Sequence, residues 1–225
     1  LAVSRPQVII REVDGVKQEP YEMVTADVED QHQGSTISML SERGGQMLNM
    51  VPDGQGRVRL EYRMPSRGLI GAQTEFMSMT SGTGLLFHVF DDYDDMSPKV
   101  VGQRHNGVLI ANGAGKVLAY ALFNLQDRGR MMLEHGEEVY EGQLAGIHSR
   151  DNDLVVNVLK GKQLTNMRTT GNDENIVLVP PVKMSLEQAL EFINDDELVE
   201  VTPKAIRLRK RFLNENERKR AERGA

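Results

Sequence analysis

The 225-residue chain contains no cysteine. Disulfides and thiol chemistry are therefore excluded. No apolar run approaches the ~18 residues that cross a bilayer, and no secretory leader is visible. The reading is a soluble chain with no membrane partner, compatible with a reducing compartment. The five histidines never fall three or four residues apart, and no H-E-x-x-H occurs, so no metal site is expected. No G-x-S-x-G elbow is present. A Ser/His/Asp triad gathered from distant positions stays open at this level, and no catalytic residue is assigned.

Two motifs look chemical and fail on inspection. Gly113-Ala114-Gly115-Lys116 lacks the first glycine of a phosphate loop, because residue 110 is Ile, and Val117 stands where a magnesium-binding Ser or Thr is needed. It reads as a turn between strands 108–112 and 117–125. Asp91-Asp92-Tyr93-Asp94-Asp95 lacks the Gly and Glu of a calcium loop. It reads as a solvated turn at a domain boundary.

What is there is a globular composition, 39% hydrophobic and 27% charged, at a length suited to two domains. The net charge is −6, but unevenly spread: residues 204–225 carry nine basic residues against three acids. A basic tail on an acidic body is an electrostatic footprint for phosphates.

Periodicity predicts an α+β fold. Val58, Leu60, Tyr62 and Met64 alternate with Arg57, Arg59, Glu61 and Arg63 as a half-buried strand, and Pro65 ends it. A helical segment, a Gly82/Gly84 stop and an apolar strand from Leu85 follow. The stretch before it repeats the unit: a strand through Val24, Ala26 and Val28, a helix capped by Asp30, and a strand from Gln46 to Val51. The result is βαββαβ, the ferredoxin-like pattern, placed at 18–98, with both helices on one sheet face. Residues 1–17 read as the remnant of a strand pair around the Asp14-Gly15 turn. The chain reads as an excised fragment.

The strings Gly34-x5-Leu40-Ser41-x-Arg43-x-Gly45-x4-Met50, Ser66-Arg67-Gly68-Leu69-Ile70-Gly71 and Met79-Thr80-Ser81-Gly82-Thr83-Gly84 resemble the fifth domain of translational GTPases related to elongation factor G. The likeness is closer to the TypA/BipA branch. It continues through VGQRHNGVLIANGAGK, LQDRG and the stretches from His135 to Gly171 and from Val177 to Arg220. The resemblance implies a C-terminal half whose GTPase domain, with its GTP and Mg, lies elsewhere. This chain would then hold no cofactor and be no enzyme.

Residues 99–225 would form the family-specific C-terminal domain. Short strands at regular turn spacing suggest a β-rich, barrel-like domain with flanking helices. Strands are expected at 137–140 and 143–148, forming a hairpin, and at 154–159, 177–179, 199–201 and 206–209, with a continuous helix starting at Pro203 as the alternative for the last. Ser185 with Gln188 forms a capping box before Leu186, Ala189, Leu190 and Ile193, and Asn214 caps a last basic helix. The polar loop 160–175 is long enough to be functional. Its Lys160, Lys162 and Arg168 suit phosphates, while Gln163, Thr165, Asn166 and Thr169 suit sugar or base edges. In the family this loop meets the acceptor end of a bound tRNA.

The candidate RNA-binding residues are therefore Lys160, Lys162, Gln163, Asn166, Arg168, Arg207, Arg209, Lys210 and Arg211, with Arg43 and Arg67 in the first domain. The resemblance implies ribosome binding through rRNA, ribosomal proteins and tRNA, a role in large-subunit assembly and stress-adapted translation, and no DNA partner. Two alternatives are a protein-docking module without RNA contact and a hydrolase using Asp91–Asp95 with His88 or His105.

Overall fold

The structure, a computed structural model, describes residues 1–98, 104–161 and 177–223. The chain divides into two compact units, one of Pro6–Gln103 and one of Leu1–Arg5 with Arg104–Ala225. The first strand, β1 (Ala2–Ser4), belongs to the second unit.

The first unit runs β2 (Arg11–Val13), β3 (Val16–Glu29), α1 (Gln33–Glu42), β4 (Gln46–Pro52), β5 (Arg57–Pro65), α2 (Ser66–Leu69), α3 (Ala72–Met79) and β6 (Leu85–Asp95). β3 lies between β5 and β6, β4 pairs with β5, and every pairing is antiparallel. Spatial order β4-β5-β3-β6 with this connectivity is the split βαβ arrangement. Val24, Ala26, Val28, Val58, Leu60, Tyr62 and Met64 meet Met39, Leu40 and Phe76 of the helices in one core. Each apolar position on β3 and β5 is two residues from the next, so one face feeds this core.

The opposite face stays open. Leu85, Phe87 and Val89 share it at 52%, 62% and 66% exposure. Two local expectations change. Asp30 is no cap; residues 30–32 form a 3-10 turn without a side-chain cap bond. The acidic run 91–95 is strand, because β6 continues to pair with Gln18–Pro20 of the long β3.

The second unit contains β7 (Val108–Ala111), β8 (Gly115–Lys116), α4 (Ala119–Leu125), β9 (Gly129–Met131), β10 (Glu138–Val139), β11 (Leu144–His148), β12 (Leu154–Val156), α5 (Leu186–Phe192), β13 (Glu197–Val201), β14 (Ile206–Lys210) and α6 (Glu215–Arg223). Three sheets form: β12-β7-β11-β9, β10-β8 and β1-β13-β14. β7 is buried throughout. Leu109 and Ala111 enter a core with Leu122 and Val139, while Val108 and Ile110 enter another with Ala189, Ile193 and Val199. A strand buried on both faces reads as an unbroken apolar run.

No closed barrel forms among the described residues; the barrel-like expectation gives way to small open sheets layered on two cores. The predicted strand 117–125 is mostly helix. Leu118, Ala121, Leu122 and Leu125 fall at helical spacing, a period of 3.6 rather than 2. The expected 137–148 hairpin also differs: β10 pairs with β8, and β11 with β7 and β9. Residues 177–179 are irregular rather than strand. The capping box at Ser185 forms fully, and Asn214 Oδ1 accepts from Asn216 N at 2.9 Å.

Candidate nucleic-acid interface

The first unit's two candidate cations are committed to the protein. Arg43 ends α1. Its Nε and Nη2 donate to Glu75 at 2.9 and 2.6 Å, and Nη1 donates to the carbonyls of Gly68 and Ile70, each at 2.9 Å. Gly68 is required there, because a Cβ would sit 2.2 Å from the Arg43 carbonyl oxygen. Arg67 donates to the wholly buried Glu19 and to the Ser97 carbonyl, and Ser97 N returns a bond to Glu19 at 2.9 Å. The Ser66–Gly71 motif is thus a clip that ties α1, the α2–α3 elbow and the ends of β3 and β6 together. Replacing Arg43 with Gln should cost about 2–3 kcal/mol, the value of charged hydrogen bonds lost beneath a helix end. Urea unfolding of the chain measures it, and phosphate-dependent RNA binding should not change.

Lys210 is also taken. It is 2% exposed. Its Nζ lies 2.5 Å from Asp153, 2.7 Å from Asp196 and 2.9 Å from Glu197. Burial alone would depress its pKa, but the charge of Glu197 and the hydrogen bonds of Asp153 and Asp196 outweigh that and raise it. Glu197 is fully buried and also accepts from Arg104 Nη1 and Nη2, both at 2.9 Å. Lys210 therefore locks β14 to its neighbours and is not presented to a partner.

Arg209 donates to the Lys210 carbonyl at 3.2 Å and lies 3.8 Å from Glu200. Arg207, opposite Glu200 in the β13–β14 register, sits 6.0 Å from the Tyr140 ring. Both arginines are half-buried. Lys160 and Arg211 are exposed, and neither has an ion pair among the described residues. Lys162, Gln163, Asn166 and Arg168 lie outside the described residues. α6 adds Arg220 and Arg223 on its exposed surface, while Lys219 pairs with Glu215 at 2.6 Å.

One cationic group was missed from the sequence. Gly129 pairs with His148, and Ser149 N donates to the Arg128 carbonyl. This brings Arg128, Arg130 and Arg150, all exposed, to the same end of the β9–β11 pair. The two-residue step from Arg128 to Arg130 was the available signal; the connection to Arg150 needs the strand pairing.

Among the described residues, the two groups that look suited to a metal or a nucleotide are otherwise engaged. Asp153, Asp196 and Glu197 come within metal-ligand reach of one another, but the Lys210 ammonium already sits against all three, where an ion would have to be. Gly115-Lys116 is a short strand paired to β10, not a glycine loop opening onto a helix, so the residues present do not fit GTP with magnesium. The carboxylates proposed for hydrolysis are partly tied as well: Arg63 Nε donates to Asp91 at 2.7 Å and Nη1 to Asp94 at 2.8 Å. The hydrogen bond from Arg63 holds the Asp94 carboxyl below its ordinary range.

Comparison with known proteins agrees with this layout. The elongation factor G C-terminus family matches residues 16–104, and the TypA/BipA C-terminal domain family matches residues 106–215. The large ribosomal subunit assembly factor BipA of Salmonella typhimurium is 69% identical over 224 residues, covering 100% of this chain and 37% of that protein. The Escherichia coli K12 protein of the same name is 69% identical over 99% of this chain, and the Haemophilus influenzae one 64% over 99%. The chain spans about 37% of the length of these relatives. This chain belongs to the TypA/BipA family and corresponds to its C-terminal region, an elongation factor G C-terminal domain followed by a TypA/BipA C-terminal domain.

Proposed function

We propose that this chain is the ribosome-engaging region of a translational GTPase that assists assembly of the large ribosomal subunit and supports translation under stress. The observation that carries the reading is similarity over the whole of this chain, at 69% identity, to part of a protein named as a large ribosomal subunit assembly factor. In this reading GTP hydrolysis belongs to another part of the parent protein. The second unit supplies contacts to rRNA and to the tRNA acceptor end, through Lys160, Lys162, Gln163, Asn166, Arg168 and Arg211. Arg207 and Arg209 contribute from a half-buried strand. Arg128, Arg130 and Arg150 form a second contact surface. The mechanism is neutralisation of phosphates combined with shape recognition. The domain limits 1–17, 18–98 and 99–225 remain our proposal for how the family's domains are cut, and the cell compartment we propose is the cytoplasm.

The test is co-sedimentation with ribosomal particles against salt. If about five phosphates are contacted, log K should fall with log salt at a slope of roughly −3.5 to −4.5. GTP turnover by this chain alone should be nil; measurable turnover would place a nucleotide site where none is proposed.

Protein docking is the second reading, and one observation favours it. Leu85, Phe87 and Val89 line the open face of β6, each more than half exposed. A salt-independent association that is lost on Phe87→Ser would select it over the RNA reading.

A further inference from the structure

The chain contains two Asn-Gly steps, Asn106-Gly107 and Asn112-Gly113. An asparagine before glycine can react with its own backbone, because glycine lacks the Cβ that would keep the next peptide nitrogen away from the side-chain amide carbon. The reaction needs that nitrogen and that amide to be free. At Asn112 both are. Asn112 is exposed, and its side chain has no hydrogen-bond partner among the described residues. The Gly113 N–H has none among them either. The turn is anchored only at its ends: Ala111 N and Asn112 N donate to the carbonyls of Gln143 and Val156 at 2.9 and 3.1 Å, and Gly115 and Lys116 pair with β10.

Asn106 has the same neighbour and the opposite surroundings. Its Nδ2 donates to the His148 carbonyl at 2.9 Å, and Gly107 N donates to the Arg150 carbonyl at 2.8 Å. Gly107 is buried, and a Cβ there would lie 2.1 Å from the Asn152 carbonyl oxygen. Both reacting groups are held by bonds that must break first, in packing that leaves little room for a ring to close. Exposure does not separate the two asparagines, since Asn106 is exposed as well. The hydrogen bonds do. At Gly113, by contrast, a Cβ would meet only Leu159 Cδ1, at 3.7 Å, an ordinary contact.

We infer that Asn112 is a site of spontaneous covalent modification, deamidation through a succinimide, which makes an uncharged turn anionic. Gly113 N, having lost its proton to solvent, attacks Asn112 Cγ and forms a new C–N bond. The bond from Cγ to Nδ2 breaks, and Nδ2 takes up a proton and leaves as ammonia. Water then adds to one of the two ring carbonyls and opens the ring, giving aspartate or isoaspartate at position 112. Nothing is oxidised or reduced; water enters and ammonia leaves. Either product is ionised at neutral pH and adds one negative charge to a chain of net −6. Isoaspartate also lengthens the main chain by one methylene. Residues 113 and 114, whose N–H groups are unbonded among the described residues, take up that length between β7 and the β8–β10 pair.

The test incubates the folded full chain in heavy-oxygen water at mildly alkaline pH, then digests it with trypsin in ordinary water. Only ring opening during the incubation leaves heavy oxygen in the product. Both asparagines fall in one tryptic peptide, residues 105–116, and fragment ions in the mass spectrometer assign the label. Label should accumulate at position 112 with first-order kinetics and not at 106. In denaturant the two positions should label at similar rates, because both steps are then equally free. Asn112→Gln should leave position 112 unlabelled, since the next larger ring closes far more slowly. Gly113→Ala, whose Cβ the structure accommodates, should slow labelling at 112 about fivefold by crowding the attacking nitrogen. No label at position 112 in the folded chain overturns the inference, as does equal labelling at 106 and 112. Slower labelling at 106 that persists in denaturant would assign the difference to sequence and overturn the argument from hydrogen bonds. An unchanged rate in Gly113→Ala would overturn attack by the Gly113 nitrogen.

Discussion

Replacing Glu197 with alanine should cost the second unit about 3–5 kcal/mol, enough to remove much of the stability of a marginal domain. The reason is what stays behind. Glu197 is fully buried and faces two cations, Arg104 and Lys210. Removing the carboxylate leaves the guanidinium and the ammonium close together in a poorly solvated place. Asp153 and Asp196 still face Lys210, but nothing comparable faces Arg104; its remaining bonds go to the carbonyls of Asn106 and Phe192 and to no other carboxylate among the described residues. Two-state urea unfolding, followed by a probe in this unit, gives the loss. A cost under about 1 kcal/mol would mean that the network is dispensable. Lys210→Met should cost less than Glu197→Ala, because Glu197 keeps both bonds from Arg104 and the N–H of Asn194.

The same network sets a pH dependence. Burial pushes the Glu197 pKa up, but the hydrogen bonds and charges of Arg104 and Lys210 win and hold it below the ordinary 4.5. A carboxylate with a depressed folded pKa stabilises fully above its unfolded value, and that contribution is lost as pH falls through the folded one. Lys210 acts at the other end. Its folded pKa lies above the ordinary 10.5, so its contribution is complete below that value and disappears as pH rises through the folded pKa. Thermal melts of the second unit should therefore be flat between about pH 5 and 10 with respect to these two groups. They should fall on both sides, and Glu197→Gln should remove the acidic limb.

Much of the first unit was legible because its strands obey a strict period of two and its turns carry glycine. Val24 through Val28 and Val58 through Met64 announce one buried face each. The acidic run 91–95 misled for a physical reason: charged residues favour loops on average, but here Arg63 and the long β3 hold them in a strand. In the second unit, Leu118 to Leu125 carried a helical period inside a nearly unbroken apolar run, which hides periodicity of either kind. Which strands pair was not legible, because β8–β10 and β7–β12 join positions whose contacts depend on the whole fold. The candidate site divides in the same way. A cluster of basic letters shows how much positive charge a segment holds, not where it goes. Lys210, Arg43 and Arg67 spend theirs on Glu197, Glu75 and Glu19. Lys160 and Arg211 keep theirs at the surface.

That division gives the largest functional prediction. The fourfold variant Lys160→Gln, Arg211→Gln, Arg220→Gln and Arg223→Gln removes cations that are exposed and carry no internal ion pair among the described residues. Its fold should be unchanged, because surface substitutions away from networks stay within about 0.5 kcal/mol each. If each cation meets one phosphate, the salt slope of RNA binding should fall by roughly 2.8, and affinity at 0.15 M salt should drop about two hundredfold. The contrasting variant Arg43→Gln with Arg67→Gln removes half as many charges. It should lower the unfolding midpoint while leaving the salt slope intact, because those guanidiniums already face carboxylates. Sedimentation with ribosomal particles across 50–300 mM salt, on the order of the range where counterion release dominates, reads both variants in one experiment. The opposite pattern, a slope lost with Arg43 and Arg67 and kept in the fourfold variant, would move the RNA contact to the first unit and end the assignment made here.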